Sequence, residues 1–131
     1  MNGETNLQAL LTNMTPHLNE GEYVFCTVDK IEKMDLNKVL GIFKEAEAVT
    51  VIINKSLADK LGLAYSYIAA WITLTVHSSL DAVGLTAAFS NALADNGISC
   101  NVVAAFYHDH IFVRKEDAEK AMLVLNNLAR E

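Results

Sequence analysis

Apolar positions along this chain change period in a way that separates helices from strands. Leu7, Leu10, Leu11 and Met14 recur at helical spacing and stop before Pro16, which predicts a short amphipathic N-terminal helix followed by a turn near Asn19 to Gly21. Tyr23 to Val28, Val39 to Phe43 and Val49 to Ile53 are β-branched and aromatic runs, and the charged segment Lys44 to Glu47 suits a hairpin connection. Ser56 to Leu61 reads as a helix ended by Gly62, and Tyr65 to Val76 returns to strand composition, alternating cleanly from Trp71. Ser78 to Ala94 is predicted as a helix, opened by Ser78 with Asp81 three residues on and closed by Asn96 and Gly97. Ile98 to Phe106 and Ile111 to Val113 are predicted strands around a turn at His108 and Asp109. Glu116 to Ala129, with Ala118, Ala121, Met122, Leu125 and Leu128 on one face, is an amphipathic helix against a sheet.

The order of these elements repeats. Val51 to Lys60 can be laid on Ile111 to Lys120 without a gap, so that Lys55 matches Lys115, Ala58 matches Ala118 and Lys60 matches Lys120, a constant offset of 115 − 55 = 60. An internal duplication of a strand-to-helix unit is implied, and a unit that cannot bury its own face stacks on its copy. The fold class expected is α+β: two intertwined ferredoxin-like βαββαβ modules with antiparallel sheets, residues 1–64 and 65–131. The second copy ends without a closing strand, which would leave an unpaired sheet edge. The strand at 22–28 is expected to cross over and complete it.

Composition narrows the function. Apolar residues make up 52% of the 131 and charged residues 20%, with a formal net charge of −6. The negative field disfavours nucleic acid and anionic membrane surfaces as partners. The apolar excess points to a homodimer or higher homo-oligomer. The N-terminus lacks the cationic and apolar regions of a secretory signal, and the run from Ala64 to Val76 falls short of the roughly 20 residues that span a bilayer, so a cytoplasmic location is expected. Cys26 and Cys100 stand singly in strand-like runs, as buried reduced thiols do.

The stretch from Trp71 to Ala87, followed by Asn96-Gly-Ile-Ser-Cys-Asn-Val-Val and Tyr107-His-Asp-His-Ile-Phe-Val, resembles an ACT domain. Gly21 to Val28 and Phe43 to Thr50 extend the resemblance over nearly all of the chain after residue 20. The layout is similar to the ACT pairs of aspartate kinases and of the cytosolic arginine sensor. The resemblance implies a regulatory protein that binds a small molecule, an amino acid, at the turn between a module's first strand and first helix. By position that turn is His77 to Thr86, with Val83, Gly84 and Leu85 matching the family's Gly-Leu element. Val83 stands where a proline often precedes the glycine.

The candidate ligand-binding residues are Ser78, Ser79, Asp81, Val83, Gly84, Leu85, Thr86 and Asn101. A glycine inside a helical pattern costs about 1 kcal/mol relative to Ala. At Gly84 the missing Cβ would let a ligand carboxylate approach backbone N–H groups, or let helix and sheet pack closely. Ser78 also serves as a helix cap, and Asp81 in a first turn also compensates the helix dipole. Asn101 could hydrogen-bond a ligand or a neighbouring strand end. His108, Asp109 and His110 form the most enzyme-like cluster, yet they show no third ligand at a recognisable spacing. They read as a turn with exposed histidines; a metal-dependent enzyme would need His77 to join His108 and His110. No phosphate loop, nucleophile elbow or cofactor motif is present, which favours a binder over a catalyst. A purely structural ACT-like oligomer is the other alternative.

Overall fold

The computed structural model describes residues 7–75 and 84–130, which fall into two compact units: residues 20–70, and residues 7–19 together with 71–75 and 84–130.

In the unit formed by residues 20–70, three strands are antiparallel: β2 (Tyr23–Val28), β3 (Val39–Lys44) and β4 (Val49–Asn54), in the order β3-β4-β2. The alternation in β2 sends Val24, Cys26 and Val28 to one face, where they meet Val51 and Ile53 of β4. Helix α2 (Lys55–Leu61) covers that face and buries Ala58. It is capped by Asn54, whose side chain accepts the Ser56 N–H, and it ends at Gly62 with φ +70°. Between β2 and β3 the chain makes only two single-turn 3₁₀ helices, Ile31–Lys33 and Leu36–Lys38, and Met34 plugs the core between them. Ala69 pairs with Tyr23 at the end of this unit.

The other unit carries α1 (Leu7–Asn13), β1 (Thr15–Leu18), β5 (Ala69–Thr75, from Trp71 onward), α3 (Leu85–Asp95), β6 (Cys100–Ala104), β7 (Asp109–Arg114) and α4 (Ala118–Arg130). Its sheet runs β1-β5-β7-β6. The apolar side of β5, Ile72 and Leu74, lies with Ile111 and Val113 of β7 under the helices, and Phe89, Leu93, Ala121 and Leu125 close the core from above.

Tyr23–Val28, expected to close the second module's sheet, is paired along its whole length with β4 and meets β5 at Tyr23 and Ala69, whereas Thr15–Leu18 lies along β5 from Thr15 opposite Thr75 to Leu18 opposite Ile72. Pro16 hid this strand, because proline cannot donate to a ladder. It is tolerated because β1 pairs on one side only, and its ring is buried opposite Leu74.

The duplication is visible in the backbone. β4 at residues 49–54 and β7 at residues 109–114 are related by 109 − 49 = 60, and so are the two hairpins. Glu45 N–H donates to the Ala48 carbonyl at 3.0 Å and Ala105 N–H to the His108 carbonyl at 3.0 Å. The second turn therefore has its tip at Phe106 and Tyr107, two residues earlier than expected, and Asp109 and His110 belong to β7.

Candidate functional site

The β5 to α3 junction is described from Gly84 onward. Ser78, Ser79, Asp81, Val83 and His77 lie outside the described residues. Gly84 precedes α3 and has φ +94°, ψ −10°, and its carbonyl accepts the first helical bond from Ala88 N–H at 2.8 Å. The expectation of one helix running through Gly84 is therefore corrected: the chain turns left-handed there, a conformation that glycine adopts without steric cost. Among the described residues close packing does not explain Gly84, since a Cβ there would meet only Leu7 Cδ2 at 3.5 Å, an ordinary contact. Leu85 is buried in the core, and Thr86 is exposed on the first turn of α3. Asn101 sits opposite Phe112 on β6 and shares its face, the one turned away from the helices. Leu85 and Asn101 thus stand on different sides of the sheet.

That open face holds a cluster which sequence reasoning did not assemble. The residues of β5 that alternate with the buried ones are Trp71 and Thr73, both half-buried. Trp71 Nε1–H donates to His110 Nδ1 at 2.9 Å, and Thr73 Oγ1 lies 3.1 Å from the same nitrogen. Asn19 Nδ2 donates to Thr73 Oγ1 at 2.9 Å and to the Trp71 carbonyl at 3.2 Å. The hydrogen-bond pattern assigns the His110 proton to Nε2, because Nδ1 is the acceptor. Burial, and then the neighbouring His108, hold the His110 imidazole below its ordinary range, with Asp109 acting in the opposite direction. Burial pushes the Asp109 carboxyl up, and His110 partly offsets it. His108 packs its ring 6.4 Å from that of His110, and among the described residues its buried Nδ1 has no hydrogen-bond partner.

The histidines are thus half-buried, not exposed as the turn reading expected, because β7 carries His110 inward against Trp71. The signal for Trp71 and Thr73 was present as alternation in β5. Their partner, 39 residues away from Trp71, was not legible. His110 could offer a metal only Nε2, and among the described residues no group of three or more His, Cys, Asp or Glu side chains converges on a metal site. Cys26 and Cys100 are free thiols whose pKa values burial raises, which makes them poor nucleophiles. Among the described residues no helix is long and apolar enough to cross a membrane.

A four-stranded antiparallel sheet with helices on one face, together with a partial duplicate of the same strand, hairpin and helix order in the other unit, defines a tandem ferredoxin-like class of fold. Two ACT-domain models match in tandem, one over residues 2–70 and one over residues 66–127, and the chain belongs to the ACT-domain family. Among solved structures it is similar to a protein of unknown function from Vibrio cholerae, with 46% identity, TM-score 0.87, and 95% of this chain and 97% of that one covered. A protein from Agrobacterium tumefaciens shares 19% identity at TM-score 0.71, covering 88% of this chain and 89% of that one. The regulatory subunit of aspartate kinase from Thermus thermophilus, in its ligand-free form, has the same fold at TM-score 0.64 and 12% identity, with 86% and 95% covered. No curated protein matches the chain.

Proposed function

We propose that this chain is a non-catalytic regulatory protein that binds an amino acid at the turn between β5 and α3. Membership of the ACT family over both halves carries this reading, supported by likeness to a kinase regulatory subunit that contains no more than this fold. The left-handed Gly84 opens α3 with backbone N–H groups that, among the described residues, have no side-chain cap, where a ligand carboxylate would be favoured by the helix dipole. Thr86 on the adjacent exposed turn supplies a hydroxyl, and Ser78, Ser79, Asp81 and Val83 precede it in the same segment. Asn101 belongs to the site if a neighbouring copy brings another surface to it.

Binding acts by favouring one arrangement of an oligomer over another, which requires different affinity for the two states. Self-association is supported by apolar side chains in the open on β3, with Phe43 71% exposed, and at the β6–β7 turn, with Phe106 80% and Tyr107 79% exposed. The protein acts in the cytoplasm on this reading.

A thermal-shift screen against the common amino acids tests it, since a ligand at about 100 times its dissociation constant adds roughly 2.7 kcal/mol. A rise in Tm with one or two amino acids is expected, and Thr86→Tyr should abolish it without unfolding the protein. A flat response over the whole panel would overturn the sensor reading and leave a structural oligomer. Gly84→Val is the poorer probe, because φ +94° strains any larger residue whether or not a ligand binds.

A further inference from the structure

At the opposite end of the 20–70 unit from the turn that follows its first strand, a cleft of about 460 Å³ is lined by Lys38, Asn54, Ser56, Leu57 and Lys60. A second recess of about 270 Å³ shares Lys38 and Asn54 with it and adds Tyr23, Asn37, Val39 and Leu40. We infer that this joined cleft binds a small organic dianion, its charge held by Lys38 and Lys60 and its carbon skeleton laid against Leu57, Val39 and Leu40. The cleft lies where β2 begins and β4 ends, and no residue of the turn between β5 and α3 lines it among the described residues.

The chemistry of the lining carries the inference. Among the described residues no acidic side chain lines either recess, in a protein whose net charge is −6. Among the described residues neither Lys38 nor Lys60 forms an ion pair, whereas Lys55, on the same helix as Lys60, is neutralised by Asp59 at 2.8 Å. Asn54 spends its side-chain oxygen on Ser56, accepting from the backbone N–H at 3.0 Å and from the hydroxyl at 2.8 Å. Its Nδ2 is left as a donor. The Ser56 hydroxyl, whose proton is engaged by Asn54, is neutral and adds no charge to the cleft. The cleft therefore offers donors and positive charge with little to satisfy them internally, and two ammonium groups suit two negative charges.

Backbone geometry points to the same place. The pairing of β3 with β4 slips between Val39 and Gly41, leaving Leu40 as a bulged residue beside the cleft. Bulges redirect side chains and are over-represented beside binding sites.

The duplication supplies a control within the same chain. Adding 60 to Asn54, Ser56, Leu57 and Lys60 gives Arg114, Glu116, Asp117 and Lys120, so the twin position holds two carboxylates where the cleft has a serine and a leucine. β6 is led by Ser99 where β3 is led by Lys38, and its pairing with β7 has no register slip. The scaffold thus does not itself demand Lys38, a bulge or an acid-free lining.

The test titrates the intact protein with succinate and with inorganic phosphate, against sodium chloride at equal ionic strength, and follows amide shifts by NMR. Saturable shifts centred on Lys38, Asn54 and Lys60 are expected with at least one dianion, and the stronger of the two identifies carboxylate or phosphate as the physiological group. Lys38→Gln and Lys60→Gln should each weaken binding about twofold to fivefold, the scale of one exposed ion pair. Lys120→Gln should leave it unchanged, as should Thr86→Tyr, which separates this site from the effector site. All four positions are on the surface, so the variants keep the fold. Shifts no larger than those with chloride, or equal losses from Lys120→Gln, would overturn the inference.

Discussion

The two units share a strand–hairpin–strand–helix segment at a fixed spacing of 60 residues, yet they solve the preceding crossover differently. After β2 the chain reaches β3 through two 3₁₀ turns, and Met34 fills the space beneath them. After β5 the chain builds α3, an eleven-residue helix that buries Leu85, Phe89 and Leu93. The hairpin and the following helix carry the register and the core, so duplication preserved them. The crossover is the part free to vary, and among the described residues the second copy has an α-helix there where the first has 3₁₀ turns. The hairpin tips make the same point at the surface, with Ala46 and Glu47 in one copy matched by the exposed pair Phe106 and Tyr107 in the other.

Truncating the crossover plug of each unit should break the comparison most sharply. Phe89→Ala removes a ring with no exposed surface and should cost about 3–5 kcal/mol, while Met34→Ala, at 8% exposure, should fall nearer 2 kcal/mol. Urea denaturation measures both, and an equal or larger loss at Met34 would mean that the 3₁₀ crossover carries as much of the core as the helix.

Next in size is the backbone at the start of α3. Gly84→Ala should cost about 1–3 kcal/mol because of φ +94° alone, since its new methyl has room beside Leu7. Gly41→Ala tests the reverse case in the other unit, where φ is ordinary but the methyl would lie 3.1 Å from Ile52 Cδ1. A smaller loss is expected there, because the end of an isoleucine side chain can give way. Thermal unfolding of the two variants side by side decides it.

The open face adds a pH dependence that the first copy lacks, since Thr50 stands where His110 does in the second, 110 − 50 = 60. The folded-state pKa of His110 is depressed below its ordinary 6.5, so the unfolded chain binds the proton more readily. Its stabilising contribution is present above pH 6.5 and is lost as pH falls through the lower folded value. Asp109 has the opposite sign at lower pH: burial raises its pKa from 3.8, so its contribution is present below that value and is lost as pH rises through the folded value. Urea midpoints measured from pH 7.5 to 5.5 should decline in the native protein and decline less in His110→Asn. An unchanged slope in the variant would place the titration elsewhere.

The smallest effect on stability is expected at the hairpin tips. Phe106→Ser and Tyr107→Ser should change unfolding free energy by no more than about 0.5 kcal/mol, as should Ala46→Ser. Only the first two should lower the oligomer mass seen by light scattering. Loss of association from Ala46→Ser would contradict the division of labour between the copies.

Much of this architecture was written locally. The β-branched and aromatic runs of β2 and β4, the alternation of β5, the helix ends at Gly62 and Gly97, and the 60-residue repeat are readable in sequence order, and the folded chain shows each of them. Sequence reasoning failed where local rules and tertiary context disagree. Pro16 argues against a strand, but an edge position against β5 removes the objection. Gly84 fits a helical pattern by spacing, but its left-handed turn is set by the path of the chain into α3.

Secondary structure and the family could be read from residues in order, because periodicity, capping and repeat spacing act over a few positions. Which distant groups meet could not. The donation from Trp71 to His110, the closing of the sheet by Thr15–Leu18 and the convergence of Lys38 with Lys60 each join residues far apart in the chain. Such pairings are decided by how strands align and which faces the core leaves uncovered, and neither is a property of any one segment.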